Sequence, residues 1–161
     1  MTEQETKKVL ASEIMNKEVV SVSPDMPVLE AAKIISERNL DGIPVVDESN
    51  HLVGILTEYD LITKTSPINM AFIRQVLSEV KPKTGNKDQE NIYELTVKQV
   101  MNPEPLTLKG DASYEEVIET FKEHHRVNPI PIVDKENKVI GVISRYDVLR
   151  PLNILSHSIK K

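Results

Sequence analysis

Two short segments of the chain carry the same polar pair at the same spacing. Thr57-Glu58-Tyr59-Asp60 follows the apolar run 52–56, and Ser144-Arg145-Tyr146-Asp147 follows the run 139–143. A hydroxyl at the point where a β-like run gives way to a helix lies beside free backbone N–H groups and the positive end of the helix dipole. Such a place suits a phosphate or another anion. The hydroxyl can donate to a phosphate or sugar oxygen. An Asp three residues on can accept from two sugar hydroxyls at once. The same spacing is also a capping-box variant, in which both side chains serve the helix's own N–H groups. The residues alone leave both readings open, because repeats inherit caps as readily as sites.

The elements that must position these pairs are written twice. Ile43-Pro44-Val45-Val46-Asp47-Glu48-Ser49-Asn50 corresponds to Ile130-Pro131-Ile132-Val133-Asp134-Lys135-Glu136-Asn137. The match runs on without a gap, residues 52–61 against 139–148. Upstream, Met15-Asn16 corresponds to Met101-Asn102 and Asp25 to Asp111, with one extra residue in the second copy near 125–128. Self-similarity of this density marks two copies of one unit of about 55 residues.

Each copy predicts strand, helix, strand, strand, helix. The first strand falls at 19–22 and at 106–108. Val28, Ala31, Ala32 and Ile35 give the i, i+3, i+4, i+7 series of a helix, as do Tyr114, Val117, Ile118 and Phe121. Runs 43–46 and 52–56 around the polar turn 47–50 read as a hairpin, and runs 130–133 and 139–143 around 134–137 repeat it. The second helix starts after Thr57 or Ser144, with Tyr59 and Tyr146 as packing anchors rather than base-stacking rings. One such unit is too small to bury its sheet and helices well, whereas two packed together can. The expected fold is therefore α/β (α+β): two β-α-β-β-α repeats packed with pseudo-two-fold symmetry, with matched clefts where they meet. The repeats span 8–66 and 96–155, and an insert spans 67–95. In the insert, Pro67 fits an early helix position. Phe72, Ile73, Val76, Leu77 and Val80 form an apolar stripe before a polar loop. That stripe covers part of the pair or docks another chain.

The ordered set resembles a tandem pair of cystathionine-β-synthase (CBS) domains, a Bateman module. The carrying residues are Met15-Asn16, Asp25, 43–47, Gly54 and Thr57-x-x-Asp60, with Met101-Asn102, Asp111, 130–134, Gly141 and Ser144-x-x-Asp147. The resemblance implies a regulatory module that binds AMP, ADP, ATP or S-adenosylmethionine in clefts between the copies, with no cofactor required. It implies that Asp60 and Asp147 hold the ribose and that Thr57 and Ser144 contact ribose or phosphate. Ile43, Pro44, Ile130 and Pro131 would wall the base, joined by Val20, Ser21, Leu106 and Thr107. It also implies association of two modules as a disc-like homodimer. The chain departs from members that place His and Arg before the second strand to grip phosphates, since Asp41-Gly42 and Asn128-Pro129 stand there. Glu58 would repel a phosphate where Arg145 could pair with one, so the site with Ser144, Arg145 and Asp147 is expected to be the better phosphate site. The other is expected to take a less anionic ligand, such as adenosine or S-adenosylmethionine, or to stay empty.

Composition narrows the classes. The chain has 161 residues, 39% of them hydrophobic and 28% charged, as in an ordinary globular protein. With no Cys, disulfide scaffolds, Cys metal sites and Cys nucleophiles are excluded. Lys plus Arg total 20 against 25 Asp plus Glu, a net charge of -5, which argues against nucleic acid as partner. No apolar run approaches the roughly 18 residues of a membrane span, and no signal-peptide pattern opens the chain. A cytoplasmic location without membrane contact is expected. No Gly-x-Ser-x-Gly, His-Glu-x-x-His or phosphate-loop pattern supports an enzyme. His124-His125-Arg126 reads as a polar helix end rather than a metal site, since adjacent His residues diverge on a helix; the alternative is that Arg126 or His125 reaches a ligand phosphate. The alternative to the sensor is a protein-interaction or assembly domain with vestigial clefts. An unidentified regulated protein is the further partner of the sensor reading.

Overall fold

The computed structural model of the chain describes residues 8–64 and 94–158, with side chains as far as 152. The insert's stripe at 72–80 and its loop lie outside the described residues. The elements in order are α1 (Ala11–Ile14), α2 (Val28–Glu37), β1 (Gly42–Val46), β2 (Leu52–Thr57), α3 (Glu58–Lys64), α4 (Val97–Val100), β3 (Leu108–Lys109), α5 (Tyr114–Glu123), β4 (Ile130–Val133), β5 (Val139–Ile143) and α6 (Arg145–Ser158). The described residues fall into two compact units. The α3 unit gathers 20–49, 53–64 and 94–104; the α6 unit gathers 8–19, 50–52 and 105–158.

In the α3 unit, the i, i+3, i+7 residues Val28, Ala31 and Ile35 of α2 turn into a core with Val22, Ile43, Val45 and Leu56. Pro27 stands at the N-cap without a side-chain cap, and the Val28 N–H is satisfied by the Leu95 carbonyl at 2.8 Å. The helix is left through Asn39 in the left-handed region (φ 51), a role that suits Asn. β1 and β2 form a two-stranded sheet. The strand expected at 19–22 is reduced to one parallel bridge, Val22 to Val45. Two prolines account for this: Pro24 has no N–H to donate to the rung after Val22, and Pro44 has none to donate to the Val20 carbonyl before it.

In the α6 unit, β3, β4 and β5 form one sheet. β3 runs parallel to β4, and β4 antiparallel to β5. The first strand lies at 108–109 rather than 106–108, beyond Pro103 and Pro105. Val117 of α5 is fully buried against Ile130, Ile132 and Ile143, while Tyr114 and Phe121 pack at the edge of this core. The Tyr114 hydroxyl donates to the Val148 carbonyl at 2.6 Å and fastens α5 to α6.

Each unit is completed by a segment that the sequence attaches to the other repeat. Met15-Asn16 precedes the first repeat's helix, yet Asn16 exchanges two backbone hydrogen bonds with Val142 at 2.8 and 3.0 Å. Asn102 does the same with Ile55, at 2.9 and 2.8 Å. The methionines explain two of the five glycines. A Cβ on Gly141 would lie 2.4 Å from the Met15 sulfur, and one on Gly54 would lie 2.5 Å from the Met101 sulfur. The tip of the β1–β2 hairpin also joins the α6 unit. Asn50 and Asn137, both in the left-handed region, reach across to each other's strands: Asn50 Nδ2 to the Val139 carbonyl at 3.0 Å, Asn137 Nδ2 to the Leu52 carbonyl at 3.1 Å.

Candidate functional site

Both predicted polar pairs sit at a strand-to-helix junction. β2 ends at Thr57 and α3 begins at Glu58; β5 ends at Ile143 and α6 begins after Ser144. At the first junction, Asp60 Oδ2 accepts from the Thr57 N–H at 3.0 Å and from its hydroxyl at 2.8 Å. The Asp60 N–H donates back to Thr57 Oγ1 at 3.2 Å. At the second, Asp147 Oδ2 accepts from the Ser144 N–H at 2.7 Å and its hydroxyl at 3.0 Å. The Asp147 N–H reaches Ser144 Oγ at 3.4 Å. The capping box that the spacing allowed is therefore formed twice.

The box occupies one carboxylate oxygen. The other faces a base: Asp60 Oδ1 meets Lys64 Nζ at 2.9 Å, and Asp147 Oδ1 pairs with the Arg150 guanidinium. Both carboxylates are 8% exposed by residue, so each is a buried charge with full pairing. Their partners are not buried: the Lys64 and Arg150 side chains are 45% and 54% exposed. A half-exposed basic side chain contributes little by holding its partner and is readily exchanged for another donor. Each junction thus offers a hydroxyl and a carboxylate, one oxygen of which is held by an exchangeable base.

The position after the hydroxyl differs. Glu58 is exposed, and its N–H donates to the Asp41 carbonyl at 3.1 Å. Arg145 is exposed, its N–H donates to Asn128 Oδ1 at 3.2 Å and its guanidinium to the His125 carbonyl. The residues flagged for the base wall are placed unevenly. Ile43, Pro44, Ile130 and Pro131 are fully buried, with Ile43 and Ile130 in the two cores. Val20 is half-buried and Ser21 exposed. Thr107 lines a cavity of about 400 Å³ with Leu108, Lys109, Asp111, Ala112 and Glu116, a set that contains none of Ser144, Arg145 and Asp147. The tyrosines are corrected outright: Tyr146 is 78% exposed and Tyr59 is also an exposed residue, so neither anchors a core. Their position N2 on the helix, beside a box made by N-cap and N3, points them outward.

The sequence reasoning missed Lys64 and Arg150, though a base three or four residues after an Asp on a helix is a readable signal. Among the described residues, no group of three or more metal-ligating side chains occurs, and no helix is long and apolar enough to cross a membrane.

These features place the chain in a class of twice-repeated α/β modules with a hydroxyl–carboxylate box at each second helix. The CBS domain family pattern matches residues 11–66 and 97–153, and the chain belongs to that family. An inosine-5'-monophosphate dehydrogenase of Methanocaldococcus jannaschii is 33% identical over 140 residues, covering 87% of this chain and 23% of that protein. The chain thus spans about a quarter of the dehydrogenases it matches. The solved structure of CBSX2 in complex with AMP superposes with a TM-score of 0.70 at 23% identity, covering 92% of this chain and 98% of that one. The CBS domain pair of protein MJ0100, in complex with 5'-methylthioadenosine and S-adenosyl-L-methionine, superposes at 0.63 with 22% identity over 89% of this chain and 99% of that one. The fold of this chain is that of a CBS pair.

Proposed function

We propose that the chain is a non-catalytic sensor module whose ligand is an adenosine compound: AMP, ADP, ATP or S-adenosylmethionine. One observation carries the reading: a hydroxyl and a buried carboxylate with one exchangeable oxygen are built at both junctions. Asp60 and Asp147 would hold ribose hydroxyls after displacing Lys64 and Arg150. Thr57 and Ser144 would turn their hydroxyls to ribose or phosphate. The adenosine ligands of CBSX2 and MJ0100 support the choice of ligand class. Ligand binding would favour one arrangement of the module, and a regulated protein would read it. The organisation into repeats 8–66 and 96–155 with an insert at 67–95 belongs to this reading, as does a cytoplasmic location.

Association into a homodimer is the second part of the reading. Tyr59 and Ile62 on α3 are exposed, and so are their repeat counterparts Tyr146 and Leu149 on α6. Apolar side chains exposed at matched places suit a self-complementary surface.

The test is a thermal-shift titration with the four compounds and adenosine. A ligand at about 100 times its dissociation constant adds roughly 2.7 kcal/mol of stability. For a chain of this size that raises the melting temperature by about 5 °C. The shift should shrink in Asp147→Ala or Asp60→Ala. If no compound shifts the melt at millimolar concentration, the assembly-domain alternative replaces the sensor.

A further inference from the structure

We propose that Met15 and Met101 are matched oxidation sites, at which a peroxide adds one oxygen to a thioether packed on a glycine and loosens the lead-in segment from the strand it completes. The sites belong to the fold and stand apart from the sensor reading above.

The chain has no Cys and no Trp, which leaves methionine thioethers as its most easily oxidised side chains. Among the described residues these are Met15, Met26 and Met101. Met26 is half-buried, whereas Met15 and Met101 are each 9% exposed, an edge that a small oxidant can reach. Each of the latter two lies on a glycine. Sδ, Cγ and Cβ of Met15 are all within 3.1 Å of where a Cβ on Gly141 would stand, and Sδ and Cγ of Met101 are as close to that of Gly54. Each thioether therefore fills the space a side chain would take, and an added oxygen finds no room on the glycine side. The oxygen is also a strong acceptor, and a buried acceptor without a donor is costly. The backbone donors of the adjoining pairing are spent: the Asn16 and Val142 N–H groups on each other's carbonyls, and those of Asn102 and Ile55 likewise. At Met101 the Asn102 carbonyl, 2.9 Å from the Cβ position of Gly54, adds an acceptor that repels the new oxygen. Each Met is followed directly by the Asn that holds the lead-in to its strand. A sulfoxide that turns out to water pulls on that pairing.

In the reaction, a sulfur lone pair attacks one peroxide oxygen and the O–O bond breaks. The second oxygen leaves as water, taking the proton of the first. Sulfur loses two electrons and the peroxide gains them. Sulfoxide reductases reverse the change.

Hydrogen peroxide treatment of the full chain tests this, with peptide mass spectrometry to read each sulfoxide and circular dichroism melts to read its effect. The melting temperature should fall by about 5 °C or more as sulfoxide accumulates at 15 and 101. Reductases for both sulfoxide epimers should restore it. The Met15→Leu, Met101→Leu double variant conserves side-chain volume and should keep its melting temperature at the same peroxide dose. Met26→Leu should lose stability as the wild type does. If the double variant is not folded, the single variants carry the test, each losing only the part that belongs to the remaining Met. Absence of sulfoxide from 15 and 101 at a dose that converts Met26 overturns the proposal. So does sulfoxide at both with an unmoved melt, or a fall in the Leu variants equal to that of the wild type.

Discussion

Thr57–Asp60 and Ser144–Asp147 make the same local contacts: hydroxyl to carboxylate, backbone N–H to carboxylate, and carboxylate to a base one turn on. Between those fixed residues lie two exposed positions. One of them holds Tyr in both copies, and the other has diverged from Glu58 to Arg145. The box decides how the helix starts, and the residue at N1 is not part of it. A charge at N1 is therefore set by something other than the fold. In that respect the two junctions share a scaffold and differ in the chemistry they present.

The scaffold side of the comparison is tested most severely at the glycines. Both lie under a methionine, but the neighbours differ in how far they can yield. The three atoms nearest a Cβ on Gly141 all belong to the Met15 side chain, which is flexible. A Cβ on Gly54 also meets the Asn102 carbonyl at 2.9 Å, which belongs to a backbone pairing. Gly54→Ala should cost about 3 kcal/mol and Gly141→Ala about 1–2 kcal/mol, the range for overpacking a filled core. Urea unfolding of the two variants gives the order. The reverse order would mean that the Ile55–Asn102 pairing yields more easily than a methionine.

The boxes come next. Asp60→Ala and Asp147→Ala each remove a buried acceptor of two box hydrogen bonds and one partner of an ion pair, and should each cost about 1–2 kcal/mol. Because the contacts match, the two losses should agree within about 0.5 kcal/mol. A larger gap, read from the same urea curves, would show that one box is stressed where the other is not. Glu58→Arg and Arg145→Glu alter exposed side chains and should shift stability by no more than about 0.5 kcal/mol. A greater loss in Arg145→Glu would assign the His125 carbonyl contact a structural role.

The repeat, the two hairpins, the helix periodicity and the hydroxyl–Asp boxes were legible because each is a short-range pattern, readable within a dozen residues. The exchange of lead-in segments was not. Met15 against Gly141 and Met101 against Gly54 are pairings across the chain, and two copies of the same Met and Gly positions offer Met15 to Gly54 just as well. The outward turn of Tyr59 and Tyr146 was missed for another reason: an aromatic at a repeated position reads as core, and only the N2 geometry beside the box shows otherwise. The first strand of copy one was overread because Pro24 and Pro44 were not counted as missing donors.

The smallest effect compares the two hairpin turns, where the copies again share a frame and differ in detail. Asp47 Oδ1 accepts from the Ser49 N–H at 2.9 Å. Asp134 Oδ1 accepts from the Glu136 and Lys138 N–H groups, both at 2.9 Å. The Asp134 carboxyl is held below the ordinary carboxylate range, chiefly by the Lys138 N–H and with help from the Glu136 N–H and the Lys138 and Lys109 charges, against a smaller desolvation effect. A carboxylate depressed in the folded state contributes stability at pH values above its unfolded value of about 3.9, and that contribution is lost as the pH falls through the folded value. Melting temperatures of the wild type and Asp134→Asn should therefore converge in acid, below about pH 4, and separate above it, with the variant the less stable. A separation that does not change with pH would mean that the Asp134 charge adds nothing to the turn.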